Sequence, residues 1–239
     1  PYECYEQFHV RKYGFHGTSH RFVSMKYGEV TGKSLEGLNI VSCHLGNGSS
    51  ITAIKDGKSV DTSMGFTPLD GIIMGTRSGS VDPSAVEFVQ NKLGFTPAQM
   101  SDYLNKKSGF LGLSGQFSDN RDITSAAQQG DKRSQLVTDM LTYEIKKYIG
   151  SYTAAMNGLD VVIFTGGIGE NAPEVRKGVC ENMEYLGIKL DNSVNDGLKG
   201  KLTKISAPDS KVEVWVIPTN EELLIARDTL EITGLDKNA

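Results

Sequence analysis

Residues 44–77 read HLGNGSSITAIKDGKSVDTSMGFTPLDGIIMGTR. The stretch opens with His44 at the end of an apolar run, turns through a glycine-rich segment at 46–50 and closes on Arg77 among small residues. Backbone N–H groups, an imidazole and a permanent cation suit an anionic phosphoryl group better than a hydride or a metal ion. The stretch therefore predicts a site that handles phosphate.

The same stretch predicts a three-stranded antiparallel meander. Residues 38–45 (LNIVSCHL) form an almost continuous apolar run, which is typical of a buried strand. Residues 50–55 alternate, Asp56-Gly57 is a strong hairpin signal, and residues 58–62 supply the third strand. The GNGSS segment either presents successive N–H groups to an anion or is an ordinary turn, and both interpretations stay open.

Composition excludes several classes of protein. The chain has 239 residues, with 38% hydrophobic and 23% charged residues and a formal net charge of −4. It has no long basic run, so nucleic acid is not expected as a partner. It also has no apolar run near the ~20 residues that span a bilayer, so no membrane association is expected.

The cysteines and histidines indicate a reducing compartment and no zinc site. Cys4, Cys43 and Cys180 are scattered, with no C-x-x-C pair, and we interpret them as reduced thiols of a cytoplasmic protein. His16 and His20 have the spacing of a helical metal pair, but no Glu or third ligand lies near them in sequence.

Residues 10–23 contain a second candidate phosphate contact. Gly14 and Gly17 bracket Phe15-His16, which indicates close approach of the backbone or a positive φ. Thr18 or Ser19 is expected to cap a helix that runs to about residue 28. His16 then either faces an anion at the helix entrance or is a buried histidine of a capping turn, and this segment alone does not decide between them.

The middle of the chain predicts one long loop and several helices. Residues 64–79 have no clear period, and a long structureless loop in a compact domain is usually functional. Asp82-Pro83 has the pattern of a helix start, and two helices are expected here, at 85–93 and 97–107. Residues 108–122 are expected to be mostly loop. A long amphipathic helix is predicted at 132–156, with these apolar side chains in the core: Leu136, Met140, Tyr143, Ile145, Ile149 and Tyr152.

A strand, a glycine loop and a helix start follow one another at residues 159–173. LDVVIFT (159–165) runs into GGIGEN (166–171), and Pro173 is expected to open a helix, which together suit a phosphate or nucleotide. The segment also matches the dinucleotide fingerprint G-x-G-x-x-A, with Asp191 about 20 residues on. That alternative lacks repeated βαβ units around it and leaves residues 44–77 unexplained.

The C-terminal part is expected to form short strands at 188–190, 202–205 and 212–217 and then a last helix. Thr219 and Glu222 have the spacing of a capping box. Glu221 is not needed for that cap and is free to point into a cleft.

Three segments together resemble the acetate kinase family, within the superfamily of acetate and sugar kinases, heat-shock protein 70 and actin. The segments are YGFHGTSH, then HLGNGSS…VDTSMGFTPLDG…MGTRSG, and finally FTGGIGEN…TNEE. The resemblance covers essentially the whole chain, in order. It implies a ribonuclease-H-like (actin-like ATPase) α/β domain, with a mixed sheet flanked by helices.

The resemblance also implies a role for individual residues. Arg77 and His16 would be the cationic pair that stabilises the transferring phosphoryl group. His44 and Asn47 would line the phosphate path, Phe15 and Pro68 would hold the acetate methyl group, and Glu221 would help to place magnesium. Asn120 stands where the family often has Phe. The nucleotide would be held by Gly46, Gly48, Asp119, Arg121, Gly166, Gly167, Gly169 and Asn171.

Acetate kinases begin with a further domain, opening on a strand and an N-x-G-S-S-S loop, that has no counterpart in this sequence. We therefore expect residues 1–239 to be the C-terminal, nucleotide-binding domain of a two-domain kinase that makes acetyl phosphate and ADP from acetate and ATP, reversibly. Mg²⁺ or Mn²⁺ and a homodimer are implied, and acetate is not distinguished from propionate. The alternative is a nucleotide-binding, dimer-forming module that turns nothing over by itself.

Overall fold

The computed structural model describes residues 1–234. Its centre is a six-stranded mixed sheet in the order β3-β2-β1-β4-β6-β5. The strands are β1 Asn39–Leu45, β2 Ser49–Lys55, β3 Lys58–Thr62, β4 Val161–Thr165, β5 Thr203–Lys204 and β6 Glu213–Val216. An antiparallel meander continued by two parallel strands is the ribonuclease-H-like arrangement that the resemblance implied, so the predicted fold class is confirmed.

The meander has the bounds that the residue pattern predicted, to within one residue. β1 pairs antiparallel with β2, and β2 with β3. Asp56 and Gly57 have φ values of 52° and 73°, as a type I′ hairpin requires at both central residues. β1 then pairs in parallel with β4, so two parallel strands end at the same edge of the sheet.

Helices cover both faces of this sheet. They are α1 Tyr2–Phe8, α2 Gly17–Thr31, α3 Pro83–Leu93, α4 Pro97–Lys106, α5 Gly109–Ser114, α6 Asn120–Gln128, α7 Lys132–Met156, α8 Gly166–Asn171, α9 Pro173–Cys180, α10 Asn192–Asn195 and α11 Glu221–Thr233. On one face α7 and α9 pack on alternate side chains of β1, β2, β4 and β6, and on the other face α2 and α11 do so. Within residues 1–234, no helix has the length and apolar character needed to cross a membrane.

Helix α7 has the predicted bounds, but two of its predicted core residues are wrong. Leu136 and Tyr143 are 48% and 63% exposed. The buried stripe is instead Val137, Leu141, Ile145, Ile149, Tyr152 and Met156. A 3.6-residue period fits more than one phase when apolar residues also occur at intermediate positions, and packing against the sheet selects one of them.

Other segments contain more helix than the sequence indicated. Residues 108–122, expected to be loop, form α5 and the start of α6, and GGIGEN is the short helix α8 rather than a loop. Residues 188–190 form only isolated bridges. Asp119 caps α6 by accepting from Arg121 N, so a polar run that looked like a turn is a helix start.

Two predicted caps are wrong. The N-cap of α2 is His16, with φ of 56° and no side-chain cap bond, because the Ser19 hydroxyl is engaged by His44 Nδ1. The N-cap of α11 is Asn220, whose Oδ1 accepts from Leu223 N, and not Thr219.

Candidate active site

The two glycine segments, GNGSS at 46–50 and GGIGEN at 166–171, face each other at one edge of the sheet. β1 ends at Leu45 and β4 at Thr165, and they are neighbours and parallel. A Cβ placed on Gly46 would lie 3.9 Å from Gly167 N, so the segments after both strands are in close approach. Crevices beyond the carboxyl ends of parallel strands are where open α/β sheets bind ligands.

A cleft of ≈1000 Å³ opens at this edge. Six of the residues expected to hold the nucleotide or phosphate line it: Gly46, Asn47, Asp119, Arg121, Gly167 and Asn171. The sequence analysis missed six further lining residues: Phe110, Ser118, Thr124, Gln128, Glu174 and Lys199. Lys199 begins the short basic run KGKLTK (199–204), and the sequence alone does not separate a phosphate contact there from a solvated turn.

Gly48, Gly166 and Gly169 do not line this cleft. Gly166 has φ of 77°, and a Cβ there would lie 2.8 Å from Leu45 O. A Cβ on Gly169 would lie 3.4 Å from the Phe164 carbonyl carbon. These two glycines therefore let α8 begin tightly against the ends of both strands.

Asp119 and Arg121 form one exposed wall of the cleft. Arg121 Nη2 donates to Asp119 Oδ2 at 2.7 Å and Nε to Oδ1 at 3.0 Å, with the guanidinium side chain 89% exposed. These bonds from Arg121 lower the pKa of Asp119 to about 2. Asn120 between them is buried, and its Nδ2 reaches Thr124 Oγ1 at 3.4 Å, so no aromatic ring is offered for stacking at this position.

Three histidines cluster beside the glycine turn. The His16 and His44 rings are stacked with centroids 4.1 Å apart. Burial, with the neighbouring Arg77 as the second cause, lowers the pKa of His16. Burial and then the charge of His16 lower the pKa of His44 to about 4. Because the pKa of each of the three histidines is lowered from 6.5, they are neutral at pH 7, and Arg77 carries the positive charge of the cluster.

Arg77 meets His16 at Gly48. A Cβ on Gly48 would lie 2.7 Å from Arg77 Nη2 and 3.5 Å from His16 Nε2, so a side chain at 48 would displace these groups. Arg77 Nη1 donates to Pro68 O at 2.7 Å. Within residues 1–234 no carboxylate forms a salt bridge with Arg77.

The long loop at 64–79 reaches the cleft through Asn47. The Asn47 side chain and Ser118 O lie where a Cβ on Gly75 would stand, so Gly75 allows this amide to pack against the loop. Glu144 of α7 fixes the same loop, since its carboxylate accepts from Ile73 N at 2.7 Å. The loop has no helix or strand of its own, as predicted, yet it is held by packing and hydrogen bonds.

Phe15 lies in a cleft that Pro68 does not line. Phe15 lines a separate cleft of ≈320 Å³ between α2 and the β2–β3 hairpin. Pro68 is exposed, and its carbonyl holds Arg77. An apolar pocket for a methyl group is therefore not enclosed by these two residues alone.

Glu221 begins α11, and Thr219, two residues before it, is joined to the glycine segment at 166–171 through Glu170. Glu170 Oε1 accepts from Gly166 N at 2.9 Å and from Thr219 N at 3.2 Å. Across residues 1–234, no three His, Cys, Asp or Glu side chains are grouped as a metal site. A lone carboxylate matches the way Mg²⁺ is often held, with substrate phosphates and waters completing the shell.

The buried histidines predict a loss of stability in mild acid. His20 is 4% exposed, and burial, followed by the charges of His44 and His16, lowers its pKa from 6.5 to about 3. Because the unfolded chain binds a proton near pH 6.5 and the folded chain does not, the stabilisation is complete above pH 6.5 and is lost on acidification. We expect the free energy of unfolding to fall by about 2 kcal/mol between pH 6.5 and 4.5 from His20 alone.

Urea denaturation at pH 6.5, 5.5 and 4.5 measures this dependence. The carboxylates with strongly lowered pKa, Asp119 and Glu213, lose their contribution mainly below this range, as pH approaches about 2. A flat profile between pH 6.5 and 4.5 would contradict the burial of neutral histidines.

The sheet order and the cleft together define the class of protein. The chain is an actin-like α/β domain with glycine segments at the ends of two parallel strands. Residues 1–227 match the profile of the Acetokinase family, and the chain belongs to that family.

Individual relatives agree with this assignment. The acetate kinase of Dictyoglomus turgidum is 56% identical over 234 residues, covering 98% of this chain and 58% of the relative. The crystal structure of Porphyromonas gingivalis acetate kinase matches with a TM-score of 0.95 and 50% identity, over 98% of this chain and 58% of that one. A propionate kinase from Francisella tularensis matches with a TM-score of 0.88 and 42% identity, over 95% and 57%. The chain thus spans somewhat more than half of the length of these relatives.

Proposed function

We propose that the chain supplies the nucleotide half of a kinase that transfers the γ-phosphoryl group of ATP to acetate, reversibly, giving acetyl phosphate and ADP. The observation that carries the proposal is the meeting of Arg77 and His16 at Gly48, next to a cleft formed by both glycine segments. The family membership of the chain and its named relatives support the same reaction.

The chemistry needs charge stabilisation more than proton transfer. A carboxylate oxygen of acetate attacks the γ-phosphorus, a P–O bond forms, and the bond to the bridging oxygen of ADP breaks. The nucleophile is already ionised, so no general base is required. Arg77 would neutralise charge on the equatorial oxygens, and His16 would donate to one of them.

The proposed reaction also involves a divalent cation at the phosphates. We expect Mg²⁺ or Mn²⁺ to be held by the nucleotide phosphates, with Glu221 as the proposed protein carboxylate, and such an ion supplies further charge neutralisation. The exposed apolar side chains Ile225, Leu230 and Ile232 of α11 are compatible with a homodimer.

The free cysteines Cys43 and Cys180 are buried, as suits a cytoplasmic protein.

A second candidate is a nucleotide-binding module without turnover. It is favoured by the cleft around Phe15, whose lining does not include Pro68, the other residue proposed for the acyl pocket. The dinucleotide alternative loses its acidic residue, because Asp191 caps α10 by accepting from Ser193 N at 3.0 Å. Trapping acyl phosphate with hydroxylamine separates the kinase from the module.

Calorimetric titration with Mg-ADP tests the nucleotide half directly. We expect saturable binding that Arg121→Ala weakens by about tenfold, the value of one hydrogen bond to a charged group. Arg227→Ala is the matched control, because Arg227 is an exposed residue of α11 outside the cleft lining. Absence of binding in a folded chain, or equal binding by both variants, would contradict the assignment of this cleft.

A further inference from the structure

A chain of hydrogen bonds runs from the interior of the sheet to His16. Ser42 Oγ lies 2.9 Å from His20 Nδ1, His20 Nε2 lies 2.7 Å from Ser50 Oγ, and Ser50 Oγ lies 2.9 Å from His16 Nδ1. We name these four residues the hydroxyl–imidazole relay. Ser42 and Ser50 are fully buried and His20 nearly so.

The direction of the relay is set at Ser42. Among residues 1–234, His20 Nδ1 is the only hydrogen-bond partner of the Ser42 hydroxyl. A buried hydroxyl proton needs an acceptor, so Ser42 donates to His20 Nδ1. With that nitrogen an acceptor, the proton of neutral His20 is on Nε2, which donates to Ser50 Oγ.

The hydrogen bond between Ser50 and His16 has the same donor-to-acceptor direction. Its own proton has two acceptors to choose from, His16 Nδ1 at 2.9 Å and Phe15 O at 3.5 Å. The longer distance is outside the usual range for an O–H···O bond, so Ser50 donates to His16 Nδ1. The proton of neutral His16 is then on Nε2, the atom that lies beside Gly48.

A second hydroxyl acts on His44 in the same way. Ser19 Oγ lies 2.8 Å from His44 Nδ1 and, within the part of the chain that the structure describes, has no other side-chain partner. Ser19 is fully buried, so it donates and His44 also carries its proton on Nε2. Neither Nε2 of the stacked pair His16 and His44 has a partner among residues 1–234.

We propose that the relay holds His16 as a neutral imidazole with Nε2–H directed to the Gly48 edge, where it donates to the passing phosphoryl group. Ser42, His20 and Ser50 are positioning residues, and the proton stays on His16 throughout. The tautomer follows from the contacts alone, while its use in phosphoryl transfer rests on the proposed function.

Long-range ¹H–¹⁵N spectra of the labelled, ligand-free chain at pH 7 give the tautomer directly. We expect His16, His20 and His44 each to be a single species with bare Nδ1 and protonated Nε2. His9 is exposed and reports the mixture of tautomers of an unconstrained imidazole. A proton on Nδ1 of His16, or the mixture shown by His9, would overturn the proposal without any variant.

Ser50→Ala then breaks the last bond of the relay. The His16 signals should move to the mixture seen for His9, while His44 stays a single tautomer. Ser24→Ala is the control, because Ser24 is a buried hydroxyl on the same helix as His20 and, among the described residues, donates only to Arg21 O. Unchanged His16 signals in a folded Ser50→Ala chain would refute the relay.

Activity of a full-length protein that contains this chain completes the test. We expect Ser50→Ala to lower kcat by about tenfold, less than the loss of a whole donor, with KM for ATP unchanged. A single tautomer in a protein that forms no acyl phosphate would refute the proposed function and leave the relay standing. Acyl phosphate formation with an unchanged kcat in Ser50→Ala would refute the relay's part in the reaction.

Discussion

Arg77→Ala should lower kcat of a full-length protein containing this chain by about 10²–10³-fold, or roughly 3–4 kcal/mol of transition-state stabilisation. Arg77 is the one permanent cation beside Gly48 among the described residues, and no carboxylate there forms a salt bridge with it. The neutral histidines next to it cannot replace its charge at pH 7. Initial rates of acyl phosphate formation at saturating ATP measure the effect.

Two further variants sharpen this experiment. Arg77→Lys keeps the positive charge but loses the paired N–H donors of the guanidinium, so its rate should lie between those of Arg77→Ala and the unchanged protein. Arg227→Ala, at an exposed position of α11, should leave the rate unchanged. A loss of less than tenfold in Arg77→Ala would exclude it from a central electrostatic role.

Arg176→Met should lower the free energy of unfolding by about 3 kcal/mol. Arg176 is fully buried, and its guanidinium donates to Gly169 O at 2.9 Å, to Leu198 O at 2.9 Å and to Asn195 Oδ1 at 2.8 Å. Burial lowers the pKa of Arg176 to about 10, so it stays charged at pH 7. Methionine fills most of the volume but leaves these acceptors without a donor.

The same substitution should also weaken ADP binding. Arg176 connects Gly169 of α8 to Leu198. Other residues of α8 and Lys199, next to Leu198, line the cleft, so Arg176 fixes the distance between two of its walls. Lys177→Met, on an exposed position of the same helix, controls for loss of a positive charge. Equal urea midpoints for Arg176→Met and Lys177→Met would show that the buried bonds do not contribute to stability.

Local rules were sufficient for the meander and for α7. Asp56-Gly57 determines a hairpin whose turn geometry requires positive φ, and the α7 pattern repeats over seven turns. The same rules failed where a tertiary contact decides. Ser19 is a good capping residue by type, yet His44 engages its hydroxyl, and the phase of α7 that excludes Leu136 depends on the sheet beneath it.

Some residues of the candidate site could be predicted from the sequence, and others are revealed only by tertiary contacts. Gly46 and Gly167 could be predicted as phosphate contacts because each follows a buried strand, whereas Asp119 and Arg121 were assigned only by the family resemblance. All four line one cleft. Ser42 lies in no motif, and although His20 and Ser50 end the segments YGFHGTSH and HLGNGSS, the role of all three is visible only in the distances between their side chains. Phe15 and Pro68, assigned by resemblance, remain a proposal.

The parallel pairing of β1 with β4 also governs when the cleft can exist during folding. The meander β1–β3 closes over short loops, whereas β4 reaches β1 only after the whole of residues 63–160 has been accommodated. Contacts between distant parts of a chain form slowly because loop closure must precede them. We therefore expect Gly46 and Gly167 to meet late in folding, so that the cleft is a property of the finished sheet rather than of any early hairpin.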